Sequence, residues 1–132
     1  MKKKILVVDD EHPIREMIRS FLSEKGYDAL TAGSAEKAME ILKHNSILVI
    51  FLDLNLPGMG GVEFCKKMRR ENHVGLIYAI TGFVDLYSLI VCRNAGFDDF
   101  FAKPFLLDVI LKATEEAFEK LKRWRIETYD LD

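Results

Sequence analysis

Asp53 closes the apolar run Leu48-Val49-Ile50-Phe51-Leu52, and three other strand-like runs close on polar groups that can meet it. Ile5-Leu6-Val7-Val8 ends in Asp9-Asp10, Leu76-Ile77-Tyr78-Ala79-Ile80 ends in Thr81, and Phe97 to Ala102 ends in Lys103-Pro104. In an open parallel α/β sheet, ligands bind beyond the carboxyl ends of the strands. Three carboxylates, a hydroxyl and an ammonium would then converge on one spot. Acids held that close repel one another unless a cation or a proton intervenes. Taken alone, Asp9-Asp10 reads as an ordinary helix start; joined to Asp53 it predicts a site for a divalent cation and a phosphoryl group. Mg²⁺, or Mn²⁺ in its place, suits such a site, being a hard ion that takes oxygen ligands and binds phosphate oxygens. No His or Cys stands at metal-ligand spacing, which argues against zinc.

These groups converge only if the intervening segments are helices. After the first strand Pro13 opens a segment in which Ile14, Met17, Ile18, Phe21 and Leu22 recur at helical spacing, and Gly26 ends it as a C′ glycine would. Tyr27 to Ala32 is a weaker strand, and Ser34 can cap a helix carrying Ala35, Ala38, Met39 and Leu42. The third strand leads through Pro57-Gly58-Met59-Gly60-Gly61 into a helix with Val62, Cys65 and Met68. Asp85 can cap a fourth helix that stops at Gly96, and a fifth starts near Leu107 with a stripe through Ile110, Leu111, Ala117, Phe118 and Leu121.

Strict alternation of this kind predicts an α/β fold, a single five-stranded parallel sheet doubly wound as (βα)5 with helices on both faces. The runs at Ile5 and Leu48 are continuously apolar, as central parallel strands are. Asp28 and Thr31 put the second strand at an edge. The flavodoxin-like order 2-1-3-4-5 suits this pattern, with its switch point between strands one and three.

The chain has 132 residues, enough for one domain. Its net charge of −2 gives no general case for nucleic-acid or membrane binding. Cys65 and Cys92 fall inside helical apolar patterns and read as buried free thiols of a reducing compartment. Lys2-Lys3-Lys4 before Ile5 mimics a secretory signal, but the apolar stretch stops at Asp9, short of the ~7–15 residues required. No run approaches the ~18 apolar residues of a membrane span. A cytoplasmic protein is expected.

The chain resembles the receiver domains of bacterial two-component response regulators, the CheY-like family, from about Lys3 to about Leu121. The resemblance rests on Asp9-Asp10, Asp53 with Pro57 and Gly61, Thr81-Gly82, and Lys103-Pro104-Phe105. Each motif is weak alone; all four in order at the ends of successive strands are specific. The resemblance implies a receiver over residues 1–122, with 123–132 as helix end, tail or the start of a linker to an output domain. It makes Asp53 the phosphoacceptor, phosphorylated from a phosphohistidine of a sensor histidine kinase or a histidine phosphotransfer protein. Asp10 and Asp53 would bind Mg²⁺ directly, Asp9 mainly through water, and Asn55 through its backbone carbonyl. Thr81 and Lys103 would contact the phosphoryl oxygens, and Gly82 would leave the group accessible. Thr81 and Phe100 would form the switch, and Lys103-Pro104 would be a cis bond. Asn55 and Phe83 would flank the path of the water that hydrolyses the acyl phosphate, with Phe83 shielding it so that the signal decays slowly. Such a domain assists its own phosphorylation and dephosphorylation and is not an enzyme in its own right. Its output is a downstream protein target or an output domain.

The chain also departs from that family. Leu86-Tyr87-Ser88-Leu89-Ile90-Val91-Cys92 is apolar nearly all round, whereas receivers usually present a polar face there. Leu86, Leu89 and Ile90 are expected to cover the sheet, leaving Tyr87 and Val91 for an interface; a homodimer through the fourth helix, fifth strand and fifth helix follows. Leu106 stands where a capping Asp or Ser is common. Lys120, Lys122, Arg123 and Arg125 suit a solvated helix end better than a DNA contact. Two rival functions remain. A phosphohydrolase with an aspartyl nucleophile needs a second acid two residues after it, where Asn55 stands. A flavin-binding domain needs a small-residue loop after the first strand, where Asp10-Glu11-His12-Pro13 stands.

Overall fold

A computed structural model describes residues 3–82 and 85–124, so the expectations placed on Phe83 and on the tail from Arg125 onward lie outside the described residues. Five strands alternate with five helices: β1 (Lys4–Val8), α1 (His12–Glu24), β2 (Asp28–Ala32), α2 (Ala35–His44), β3 (Val49–Asp53), α3 (Gly61–Arg70), β4 (Leu76–Thr81), α4 (Leu86–Ala95), β5 (Asp99–Ala102) and α5 (Leu107–Arg123). All pairings are parallel and the order is β2-β1-β3-β4-β5. The predicted doubly wound sheet is therefore the observed one, with β2 at an edge.

Period-two alternation assigns each strand residue to one face. Leu6, Val8, Ile50, Leu52, Ile77 and Ala79 join α2, α3 and α4 in one core. Ile5, Val7, Val49, Phe51, Tyr78 and Ile80 join α1 and α5 in the other. Every residue of β3 and β4 is buried, which explains why each runs apolar up to its last residue, Asp53 and Thr81. Fully burying one such side chain contributes about 1.5–3 kcal/mol before the entropy of ordering is set against it.

Local chemistry sets the element ends. Gly26 takes φ of 95° just after α1, and its N–H donates to Ser23 O at 3.1 Å. The Ser34 hydroxyl accepts from the Lys37 N–H at 3.2 Å, and the Asp85 carboxylate from the Ser88 N–H at 2.7 Å. Leu106 is the N-cap of α5 and makes no side-chain cap bond. Instead its carbonyl accepts from the Val109 N–H at 3.0 Å.

Two expectations are corrected. β5 begins at Asp99, not at Phe97, because Phe97 is spent on the core and the Asp98 carboxylate turns back to cap the Ile77 N–H at 2.8 Å. On α4 the face turned inward is Cys92 and Ala95, whereas Leu86, Tyr87 and Ile90 are exposed and Leu89 and Val91 half-buried. Small residues allow α4 to approach α3, where the Cys65 thiol donates to the Ala95 carbonyl at 3.5 Å.

The end of the sheet remote from Asp53 is tied by Arg69 of α3. It donates to the carbonyls of Gly96 at 2.9 Å and of His73 and Gly75 at 2.8 Å each, and to the Asp98 carboxylate at 2.8 Å. Gly96 is obligatory there: its φ is 107°, and a Cβ on it would stand 2.6 Å from the Arg69 Cγ.

Candidate functional site

Because the strands run parallel, the carboxyl ends of β1, β3, β4 and β5 lie along one edge of the sheet. The ladders extend just past the strands and fix the polar residues there. The Asp9 N–H donates to Ala32 O at 3.1 Å, that of Leu54 to Ile80 O at 3.1 Å, and that of Lys103 to Thr81 O at 2.8 Å. The Lys103-Pro104 peptide is cis. The bond to the Thr81 carbonyl sets Lys103 beside β4, and its side chain spans the gap back to β1 and β3.

Asp9, Asp10 and Asp53 each offer an oxygen within 4.8 Å of the others. Asp9 and Asp53 are buried, while Asp10 is exposed. The Lys103 ammonium donates to Asp9 Oδ2 at 3.1 Å and to Asp53 Oδ2 at 3.2 Å, with Glu11 Oε1 at 3.7 Å. Each buried acid spends its other oxygen on a backbone N–H two residues on: Asp9 Oδ1 accepts from Glu11 at 2.8 Å and Asp53 Oδ1 from Asn55 at 3.0 Å. Thr81 is buried at the same edge, Gly82 is exposed, and a Cβ on Gly82 would meet nothing within 4 Å. Asn55 is exposed in the β3–α3 connection. Phe100 sits half-buried on β5 against the core beneath α2, α3 and α4.

The charges do not balance. Burial, then the neighbouring Asp9 charge, push the Asp53 carboxyl above its ordinary range, and the Asn55 N–H and Lys103 only partly offset them. Burial also works against the Lys103 charge, but its bonds to Asp9 and Asp53 outweigh that and raise its pKa. One ammonium shared between two buried acids keeps its own proton and leaves Asp53 under-compensated. A cation among the three acids would supply the missing charge, and the donor set of hard carboxylate oxygens with one solvent-facing member fits a metal ion that retains water.

Two residues absent from the sequence-based site belong to its surroundings. Glu11 holds Asp9 through its N–H and approaches Lys103 through its carboxylate. Arg15 bonds the backbone of the acidic pair. Its one signal in the sequence is a cation in the first turn of a helix, where the macrodipole disfavours it.

The model of the family "Response regulator receiver domain" matches residues 5–115. The transcriptional regulatory protein AruR of Pseudomonas aeruginosa is 39% identical over 109 residues, 79% of this chain and 44% of that protein. The alkaline phosphatase synthesis transcriptional regulatory protein PhoP of Bacillus subtilis is 35% identical over 105 residues, 80% of this chain and 44% of that protein. This chain thus spans less than half the length of the curated relatives it matches. Among solved structures, the chemotaxis protein CheY4 of Vibrio cholerae superposes with a TM-score of 0.84 at 28% identity, over 89% of this chain and 99% of that one. A two-component response regulator from Clostridium difficile superposes with a TM-score of 0.86 at 27% identity, over 91% and 98% respectively. No described helix is long and apolar enough to cross a membrane. A family-model match over residues 5–115, together with the likeness to a solved chemotaxis protein and to longer regulators, makes this chain a member of the response regulator receiver domain family of two-component systems.

Proposed function

We propose that this domain is switched by transfer of a phosphoryl group to the carboxylate of Asp53. The observation that carries the reading is the Lys103 ammonium bonded at once to Asp9 and Asp53 inside a cluster of three acids. Asp53 attacks the phosphorus of a phosphohistidine on a sensor histidine kinase or a histidine phosphotransfer protein. The N–P bond breaks, an O–P bond to Asp53 forms, and the imidazole leaves. Phosphoryl transfer is catalysed mainly by positioning and by neutralising charge on the moving oxygens. Lys103 supplies one positive charge and Thr81 a hydroxyl. Asp9, Asp10, Asp53 and the Asn55 backbone carbonyl would hold Mg²⁺ or Mn²⁺, which supplies the remaining charge. Each transfer modifies the domain itself, so it acts as a switch with self-assisted chemistry.

The new group carries about −1.5 to −2 charge. It draws on Thr81 and Lys103, which flank α4 and β5, and Phe100 on β5 responds by turning inward. The readout is the α4-β5-α5 surface, offered to a downstream protein, an output domain or a second copy of the chain in the cytoplasm. Incubation with a small acyl-phosphate donor and Mg²⁺, followed by intact mass and peptide mapping, tests the assignment. Labelling should fall on Asp53 alone, vanish in Asp53→Asn, and require the metal; a phosphoryl group mapped to another residue would refute it.

A further inference from the structure

The two members of the acidic pair are held in unlike ways. Asp9 is fixed through its own carboxylate, one oxygen on the Glu11 N–H and the other on Lys103. Asp10 is exposed, and its carboxylate has no hydrogen bond or ion pair among the described residues. It is held only through its backbone. Arg15 Nη1 donates to the carbonyl oxygen of Asp9 at 3.1 Å and to that of Asp10 at 3.4 Å. These carbonyls belong to the peptide planes on either side of the Asp10 Cα, so one guanidinium nitrogen restrains both planes and with them the direction of the Asp10 Cβ.

The sequence builds this reach. Helical side chains tilt toward the N-terminus, so a long residue at the fourth position of α1 lies back over the β1–α1 turn. Arg15 Nη2 also meets His12 Nδ1 at 3.1 Å, and since a guanidinium can only donate, that ring nitrogen accepts. On the other side the guanidinium packs on Gly33, where a Cβ would stand 3.4 Å from Nη1. A cation at a helix start works against the macrodipole by about 0.3–1 kcal/mol. Its retention there is offset by the bonds to the two carbonyls and the imidazole.

We propose that Arg15 is a positioning residue for the divalent cation, acting through the backbone to aim the one solvent-facing carboxylate, Asp10. This rests on Asp10 being a metal ligand. The guanidinium charge alone would repel a cation, so positioning and bare electrostatics predict opposite signs on removal. Partners that orient metal ligands typically contribute ~10–100-fold in affinity.

The test is calorimetric titration of Mg²⁺ into the unphosphorylated full chain as wild type, Arg15→Lys and Arg15→Met, with fold checked by circular dichroism. Lysine keeps the charge but ends one atom short of Nη1 and has no second nitrogen for His12, so it cannot hold both carbonyls and its affinity should fall about tenfold; the methionine variant should also bind more weakly than wild type. In amide spectra of the metal-free Lys variant, broadening should be confined to Asp10 and its neighbours and sharpen on adding Mg²⁺. Affinity unchanged in Arg15→Lys, or tighter binding in Arg15→Met, would overturn the proposal, as would broadening spread along all of α1. A wild type that binds no Mg²⁺ would instead remove the metal reading itself, which separates the two failures.

Discussion

Gly61 stands directly behind Asp53: a Cβ on it would lie 2.5 Å from the Asp53 carbonyl oxygen and 2.8 Å from the Leu54 Cα. The absence of a side chain lets α3 start against the end of β3, where the Gly61 N–H donates to Leu54 O at 3.1 Å. Gly61→Ala should push the two apart, costing about 1–3 kcal/mol as overpacking does, and should slow labelling of Asp53. Urea unfolding and donor-driven labelling check this; an unchanged midpoint with unchanged labelling would mean that α3 simply retracts.

Asp53 should be a source of instability in the metal-free protein. Its carboxyl titrates above the ordinary 3.8 in the folded state, so the folded protein holds that proton more tightly than the unfolded chain does. The ionised form then costs stability, and the cost grows as pH rises from 3.8 through the raised value. Asp53→Asn removes it. Near neutral pH the variant should melt a few degrees above wild type, since ~1 kcal/mol corresponds to roughly 4 °C in a domain of this size. The gap should close in acid, and Mg²⁺ should raise the melting point of wild type only. A variant that melts lower at neutral pH would contradict the charge imbalance.

Lys103→Met should have the opposite effect, leaving Asp9 and Asp53 face to face. A loss of about 1–3 kcal/mol is expected, below the 3–5 of a fully buried broken pair because Lys103 retains some solvent contact. The raised pKa of Lys103 sets the pH window: its contribution is whole below 10.5 and disappears as pH rises through the higher folded value. The alkaline limb of the wild-type stability curve should therefore flatten in the variant. Labelling should slow by ~100-fold, as when a transition-state donor is removed. High Mg²⁺ that restored stability and full rate together would show that Lys103 is a counter-ion and nothing more.

Leu86 and Tyr87 on α4 are 74% and 77% exposed, and Ile90 is 49% exposed one turn on. Three large apolar groups on one helix face should drive self-association when Asp53 carries a stable acyl-phosphate mimic. Sedimentation should show a dimer with the mimic and a monomer without it. Tyr87→Asp with Ile90→Lys should abolish the dimer while leaving labelling intact. A wild type that remains monomeric in both states well above micromolar concentration rules the dimer out.

The sheet was legible because parallel strands buried on both faces must be continuously apolar, as Ile5–Val8 and Val49–Leu52 are. The acids were legible only jointly: Asp9-Asp10 and Asp53 close neighbouring parallel strands, whose carboxyl ends meet. The inward face of α4 was not. A helix apolar on every side has no stripe to read, and the choice fell to the small Cys92 and Ala95, which allow the approach to α3. Arg15 was nearly as hidden, since the two bonds that matter to Asp10 go to backbone carbonyls, which no residue pattern encodes. Phe97 looked like strand, but it is buried while its N–H closes α4 on the Cys92 carbonyl instead of pairing with β4.

The Arg69 knot gives α4 a fulcrum. Its last carbonyl and the turn at Gly96 are lashed to α3, and Asp98 is lashed to β4, while among the described residues its first turn is held by Asp85 alone, through its carboxylate and its carbonyl. A force applied beside Asp53 therefore acts on the long arm of a lever whose short end is clamped. Hydrogen exchange along α4 should quicken from Ala95 toward Ser88, and Arg69→Ala should flatten that gradient by freeing the clamped end, leaving the helix loose at both ends and the pull at Thr81 with nothing to pivot on.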